Sequence, residues 1–359
     1  MITISLCMIV KNESGVLQNC LDSIKDIVDE IIIVDTGSTD NTVEIAKKYT
    51  DNIYSFEWID DFSASRNYSF SKATKDYILW LDADDILLPD DQKKLMQLKN
   101  SLDNSIDSVT MIYNYAFDEF GNVILSLRRN RLVKRKLQFK WYGPVHEYLA
   151  VNGNIFNSDI AVSHKRIHAK SGRNLSILEK RLEKGDVFSP RDRYYYANEL
   201  LDNGFYEKAA ENYSIFLNLK EGWIEDRISS CYKISDIYSR LKNSEKELEY
   251  IWKSFELSTP RAEFCCKLGY YFLNKNDTEG ALFWYKLASE LKKPEGNWGF
   301  FLDSCWTWLP HIQLCICYYR LGDYQKSYEH NEIARSFRPA DTMVLHNKSL
   351  LEEILKNDK

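Results

Sequence analysis

The sequence predicts two parts: a doubly wound α/β half with a mixed sheet, then an all-α half of stacked helical hairpins. Three observations predict this. Short apolar runs alternate with helix-period segments from Met1 to about Ala169, strand signals vanish after about Ser171, and a turn-like motif then recurs at near-constant spacing. With 359 residues the chain is long enough for two substantial cores.

The first run, TISLCMIV, has no basic leader or small-residue cleavage site, and Lys11-Asn12-Glu13 follows at once. It reads as a buried first strand rather than a signal peptide. SGVLQNCLDSI carries Val16, Leu17, Cys20, Leu21 and Ile24 at helical spacing. EIIIVD is a second strand, closed by TGSTDNT before the helix VEIAKKY. NIYSF, the helix FSASRNYSFSKA and the strand YILWL continue the series, and strands joined by such helices imply a parallel sheet. SVTMIYNYAF, DEFGN and VILSLRR then read as an antiparallel hairpin, which makes the sheet mixed.

In the second half GFYEKA, KNSEKE, NDTEGA and GDYQKS begin at Gly204, Lys242, Asn276 and Gly322, intervals of 38, 34 and 46 residues. The middle interval equals the tetratricopeptide period, and KPEGNWGFFLDS supplies an insertion that lengthens the last. CKLGYYFLNKNDTEGALFWYKLA resembles the Leu-Gly-x-x-Tyr and Ala-x-x-x-Tyr pattern of that repeat. Each helix pair leaves an apolar face that only a neighbour covers, so an α-solenoid is expected. The expected division is 1–170 for the α/β domain, 171–190 for a linker helix and 191–359 for the repeats.

Composition narrows the function. With 44% hydrophobic and 28% charged residues the chain is of the soluble globular class, and a net charge of −6 argues against general nucleic-acid binding. No apolar run approaches the roughly 18 residues needed to span a bilayer. Eight cysteines without a Cys-x-x-Cys pair read as reduced core residues, which suggests a cytoplasmic protein.

In a doubly wound sheet, ligands sit outside the carboxyl ends of the strands. Those ends are polar: Lys11-Asn12-Glu13 after the first strand, Asp35-Thr36-Gly37-Ser38 after the second, Asp82-Ala83-Asp84 after the fourth. In DYILWLDADDIL, five apolar residues run straight into three acids. Carboxylates this close repel one another and resist desolvation, and a divalent cation is the most economical counter-charge. Gly37 lets the backbone come close to a ligand, and the following helix N-terminus favours negative charge. Asp40 and Thr42 read as helix caps, and Asp85 as a first-turn residue of DILLPDDQ that complements the helix dipole.

Four separated motifs, SLCMIVKNE, IIIVDTGSTDNT, SRN and YILWLDADD, resemble the family 2, GT-A-type glycosyltransferases over roughly the first 170 residues. The resemblance implies a Rossmann-like mixed-sheet GT-A domain, a UDP-sugar donor, and Mn²⁺ or Mg²⁺. It places Asn12 and Glu13 near the base or ribose, Asp35 on the uracil edge, and Arg66 in support of the nucleotide. Gly37 and Ala83 count as further nucleotide contacts. Asp82 is expected on ribose or metal and Asp84 on the metal. A hard, oxygen-bound cation suits this chemistry because it neutralises the charge of a departing diphosphate. Enzymes of this type often return a late histidine to the metal or diphosphate. His164 is the candidate, with His168 four residues on as its substitute.

Transfer with inversion needs a base on the face opposite the leaving group. His146-Glu147, in FKWYGPVHEYL, occupies the region where the family usually has Glu-Asp, so the sequence departs from that pattern. It is similar to the Gly-x-Val-His-Glu of members fused to helical repeats. Glu147 is the preferred base with His146 as helper, and the reverse assignment stays open. Trp141 reads either as a sugar platform or as a core residue. Seven cations without an acid lie between Arg128 and Lys140, to hold a diphosphate or acidic acceptor, or as a solvated hairpin edge.

The favoured reading is a hexosyltransferase acting on Ser, Thr or Cys of a peptide or protein, with the repeats binding the acceptor or forming a homodimer. Tyr194 to Tyr196, Trp252, Trp284, Trp298, Trp306 and Trp308 either line an acceptor groove or pack between repeats. The stretch from Gly296 to Trp308 is the preferred contact surface because it interrupts the repeat without obvious structural need. Transfer to a glycan or lipid-linked carrier is the alternative, and a repeat scaffold with a vestigial nucleotide site is a third reading.

Overall fold

The computed structural model describes residues 1–165, 172–294, 299 and 301–357. Two compact units emerge, Met1–Tyr115 with Leu127–Val187, and Ala116–Ser126 with Phe188–Lys359.

The first unit is built on strands β1 (Ile4–Val10), β2 (Glu30–Asp35), β3 (Ile53–Ser55), β4 (Tyr77–Trp80), β5 (Asp85–Ile86), β6 (Ser108–Phe117), β7 (Val123–Lys134), β8 (Lys140–Tyr142), β9 (Tyr148–Ala150) and β10 (Ile155–His164). Its helices are α1 (Leu17–Asp22), α2 (Thr42–Ala46), α3 (Phe62–Ser71), α4 (Pro89–Ser101) and α5 (Arg173–Glu183). The main sheet runs β3-β2-β1-β4-β7-β6-β10-β5, and β8 pairs with β9 apart from it. β1 is parallel to β2 and β4, β7 antiparallel to β4, and β10 parallel to β6 but antiparallel to β5. The mixed α/β class expected from the sequence is therefore the fold.

Side chains alternate across the sheet as a period of two requires. Ile4, Leu6, Met8 and Val10 enter one core with Ile33 and Leu79, while Cys7 enters the other with Ile32, Ile78 and Trp80. The chain leaves β1 towards β2 on one side and returns through α3 to β4 on the other. Strand order thus reverses between β1 and β4, and the crevice outside their carboxyl ends is where α/β sheets bind ligands.

The second unit comprises α6 (Pro190–Asp202), α7 (Tyr206–Asn218), α8 (Ile224–Arg240), α9 (Ser244–Leu257), α10 (Ala262–Asn274), α11 (Thr278–Glu290), the short strand β11 (Phe301–Leu302), α12 (Trp308–Arg320), α13 (Tyr324–Phe337) and α14 (Thr342–Asn357). The repeat read from the sequence is one turn used four times. Gly204, Lys242, Asn276 and Gly322 all follow the first helix of a pair with left-handed φ values of 83°, 56°, 59° and 79°. In three of them the next residue caps the second helix: Asn243, Asp277 and Asp323 accept the N–H groups of Lys246, Gly280 and Lys326. Gly269 is needed for close approach, since a Cβ there would meet the Tyr285 ring at 2.7 Å.

The expectation that the insertion before α12 lacks a structural task is corrected. Its described part forms β11, which pairs with Leu125 and Ser126, and Asp303 accepts the Ser126 hydroxyl at 2.8 Å. Gly296 and Trp298 lie outside the described residues. Among the groove candidates, Tyr194 is buried, Trp306 donates to Glu263 at 2.7 Å, and Trp252 is 45% exposed. All eight cysteines are buried and free. Among the described residues no helix is long and apolar enough to cross a membrane.

Candidate active site

The SRN segment explains itself in α3. Asp61 starts the helix by accepting the Ala64 N–H at 3.0 Å. Ser65 and Arg66 then face inward, the serine small enough to let the helix lie close. Asn67 grips the backbone of Trp141 in both directions, accepting its N–H at 2.9 Å and donating to its carbonyl at 3.0 Å. Phe62 N–H donates to Pro144 O at 2.9 Å, so α3 fixes both ends of the approach to His146 and Glu147.

Arg66 is the centre of the first cluster. Its Nη2 lies 2.6 Å from Asp82 Oδ1 and its Nε 2.6 Å from Glu147 Oε1. The guanidinium also sits between the rings of Trp80 and Trp141, at 5.0 and 4.9 Å from their centroids. Burial works against the charged form of Asp82, but Arg66 and then Arg131 outweigh it and hold the carboxyl well below the usual range. Trp141 is 3% exposed and serves as core and as a wall for Arg66. His146 takes a left-handed backbone, φ 52°, beside Glu147.

The second cluster forms where β5 meets β10. Their register sets His164 opposite Asp85. Asp84, Asp85 and His164 bring one ligand atom each within 4.8 Å of the others. His164 Nδ1 lies 3.4 Å from Asp84 Oδ1, 3.6 Å from Asp85 Oδ1 and 3.0 Å from Tyr113 Oη, with the Tyr115 ring stacked on the imidazole. Burial disfavours the imidazolium, yet the neighbouring carboxylates of Asp84 and Asp85 push its pKa up to about 9.

This grouping differs from the expected metal set in one member. Asp84 and His164 come together, but Asp85 stands where Asp82 was expected, because Asp82 turns to Arg66. Nor is Asp85 a helix-dipole residue. It lies in β5, fully buried, and the helix begins at Pro89 with Asp90 and Asp91 in its first turn. The basic run is a solvated edge only in part: Arg135, Lys136 and Lys140 are exposed, but Arg131 is fully buried against Asp85 and Lys134 pairs with Asp107 at 3.0 Å. Ala83 is buried, 5% exposed, in the core beneath β4. His168 lies outside the described residues.

The third cluster joins the loops after β1 and β2. Asn12, in a left-handed conformation, donates its N–H to Ser38 Oγ and accepts from Thr39 N–H. Glu13 N–H donates to Thr42 Oγ1, and Ser14 N–H to Asp40. Asp40 and Thr42 therefore bind two loops together, and α2 follows Asn41 without a side-chain cap. Asp35 accepts the N–H groups of Gly37 and Ser38, bending the chain at a Gly37 φ of 100°.

A divalent cation fits the second cluster. Two carboxylates and an imidazole are a donor set for Mn²⁺, and for Mg²⁺ through the oxygens. Asp85 Oδ1 is buried without a hydrogen-bond partner among the described residues, as a ligand atom awaiting a metal is. Sequence reasoning missed Asp85, Tyr113 and Arg131. The odd number of acids after β4 and an arginine set directly before Leu132-Val133 were the available signals.

Residues 5–157 match the model of Glycosyl transferase family 2. A TPR repeat-containing protein of Synechococcus elongatus is 38% identical over 147 residues, covering 41% of this chain and 35% of its own length. The SPbeta prophage-derived glycosyltransferase SunS of Bacillus subtilis is 30% identical over 250 residues, 64% of this chain and 58% of its own length. The chain thus spans well under two thirds of both relatives. A crystal structure of glucosyl-3-phosphoglycerate synthase from Mycobacterium tuberculosis with Mg²⁺ and UDP is 17% identical and covers 53% of this chain and 82% of that one. Its TM-score of 0.36 is too slight a likeness to bear on function.

Proposed function

We propose that the protein is a metal-dependent inverting glycosyltransferase that moves a hexose from a UDP-sugar to a Ser, Thr or Cys side chain of a peptide or protein. The observation that carries this reading is the meeting of Asp84, Asp85 and His164 beyond β4, two residues along from Asp82, whose partner Arg66 also binds Glu147. Likeness to a glycosyltransferase and to a repeat-containing protein supports the pairing of catalysis with a helical partner. Residues 1–170 would catalyse, 171–190 link, and 191–359 bind the acceptor or a second copy.

Asn12, Glu13, Asp35 and Gly37 would take the nucleoside, and the Asp82 carboxylate, held by Arg66, the ribose. Mn²⁺ or Mg²⁺ on Asp84, Asp85 and His164 would supply positive charge to the leaving diphosphate. In one displacement the acceptor oxygen or sulfur bonds to the sugar C1 while the C1–O bond to the diphosphate breaks. The acceptor proton passes to Glu147 Oε2, since Arg66 occupies Oε1. His146 stands beside it as helper.

The test is a panel of UDP-sugars with Mn²⁺, with and without chelator, and mass spectrometry of candidate peptides. Transfer that stops in chelator is expected, and absence of both transfer and donor hydrolysis from every UDP-sugar refutes the proposal. Glu147→Gln should slow transfer to a serine peptide by about 10²–10⁴-fold. A cysteine peptide should suffer less, because a thiol with a pKa near 8.5 is already partly ionised.

A further inference from the structure

Asp85 and Arg131 form a pair that stability alone does not account for. Arg131 Nη1 lies 2.9 Å from Asp85 Oδ2, and both side chains are fully buried. The same Nη1 donates to Trp80 O at 3.2 Å, and the guanidinium lies 3.9 Å from the Trp80 ring and 4.6 Å from that of Tyr113. Asp85 Oδ2 also accepts the Asp82 N–H at 3.0 Å. One carboxylate oxygen is thus fixed from two sides while the other, Oδ1, has no hydrogen-bond partner among the described residues. That oxygen is 3.6 Å from His164 Nδ1, in the cluster with Asp84.

A buried ion pair is a poor source of stability, because the desolvation of both charges offsets their attraction and apolar replacements often do as well. One that also strands a carboxylate oxygen in the core is poorer still. The arrangement makes sense if the stranded oxygen has an external partner. We propose that Asp85 is the third protein ligand of the cation site, through Oδ1, and that Arg131 is its positioning residue. Arg131 and the Asp82 N–H hold Oδ2, which turns Oδ1 towards Asp84 and His164. The strand register that sets His164 against Asp85 completes the set. This rests on the cation reading above, and it gives Asp82 to Arg66 rather than to the metal.

The experiment measures Mn²⁺ affinity from the free-ion signal in electron paramagnetic resonance, with and without UDP, alongside thermal unfolding in metal-free buffer. Asp84→Asn marks the site and should lose binding. Asp85→Asn and Arg131→Met should each weaken Mn²⁺ by about 10–100-fold, the usual effect of losing a ligand's support. The decisive variant is Asp85→Asn with Arg131→Met, which removes both buried charges. It should recover thermal stability relative to Arg131→Met alone but not recover Mn²⁺ affinity, whereas a merely structural pair would recover both. Should Arg131→Met not fold, Arg131→Lys keeps the charge and is expected to bind Mn²⁺ within about tenfold of wild type, with Asp85→Asn still weakened.

Wild-type Mn²⁺ affinity in Asp85→Asn or in the double variant, with Asp84→Asn inactive in binding, overturns this inference and leaves the cation reading standing. Failure of the wild-type protein to bind Mn²⁺ in any condition overturns both.

Discussion

Replacing Arg66 by methionine tests the first cluster most directly. The substitution keeps a long side chain between Trp80 and Trp141 but leaves Asp82 and Glu147 without their shared cation. The Glu147 side chain is 11% exposed and that of Asp82 29%. Breaking a buried pair typically costs about 3–5 kcal/mol, and the partial exposure of Asp82 discounts its share, so a loss of about 4 kcal/mol is expected. Arg66→Lys offers one point charge where the guanidinium spans two carboxylates, and should lose roughly half as much.

Acid supplies the control. The Asp82 pKa is depressed in the folded protein, so its stabilisation is present above the ordinary carboxylate pKa and is lost as pH falls towards the folded value. The gap between wild type and Arg66→Met should therefore be widest near neutral pH and narrow on acidification. Urea titrations followed by hydrogen exchange of α3 and of the segment after β4 would read it. A gap below about 1 kcal/mol at neutral pH, or one indifferent to acid, would refute the account of Arg66 as the clamp on Asp82.

Four further outcomes are expected in the helical unit. Burial raises the Asp226 pKa to about 6, so Asp226 costs stability as pH rises from about 4 to 6, and Asp226→Asn should gain on the order of 1–3 kcal/mol at pH 7 in chemical denaturation. His311, whose Nδ1 lies 3.0 Å from His330 Nδ1, has a pKa lowered to about 4, chiefly by burial and then by His330. Its contribution is lost as pH falls from about 6.5 to 4, and His311→Gln should blunt that loss in pH-dependent melting curves. Lys242→Gly, at a left-handed turn, should stabilise by up to about 1 kcal/mol, and Asn276→Gly by less, since asparagine tolerates that conformation. Gly269→Ala should destabilise by about 1–3 kcal/mol as the Tyr285 ring is displaced, a shift measurable by calorimetry.

The legible parts of the site are those with a local cause. Asn12, Asp35 and Arg66 could be singled out because each follows a strand or sits in a short motif, and the structure gives each a network of its own. The illegible parts depend on partners far away in sequence. Glu147 meets Arg66 across 81 residues, and nothing in FKWYGPVHEYL indicates that its carboxylate has a cation already. Asp85 follows Asp84 directly, yet one takes part in a fully buried ion pair and the other stays partly exposed. The tip Ala116–Ser126 carries an ordinary hairpin turn, and nothing in it announces that it packs with the helical unit, where Arg338 meets Glu119 at 2.5 Å.

What the sequence by itself determined is the succession of elements, the polar ends of β1, β2 and β4, and the phase of the helical turns. These follow from periodicity and from residues that suit one backbone conformation, which are properties of neighbours along the chain. Tertiary structure alone decided which carboxylate faces His164, which faces Arg66, and that Arg131 is buried behind Asp85. Those choices are set by strand register, since a shift of one residue between β5 and β10 would turn the opposing side chains to the other face.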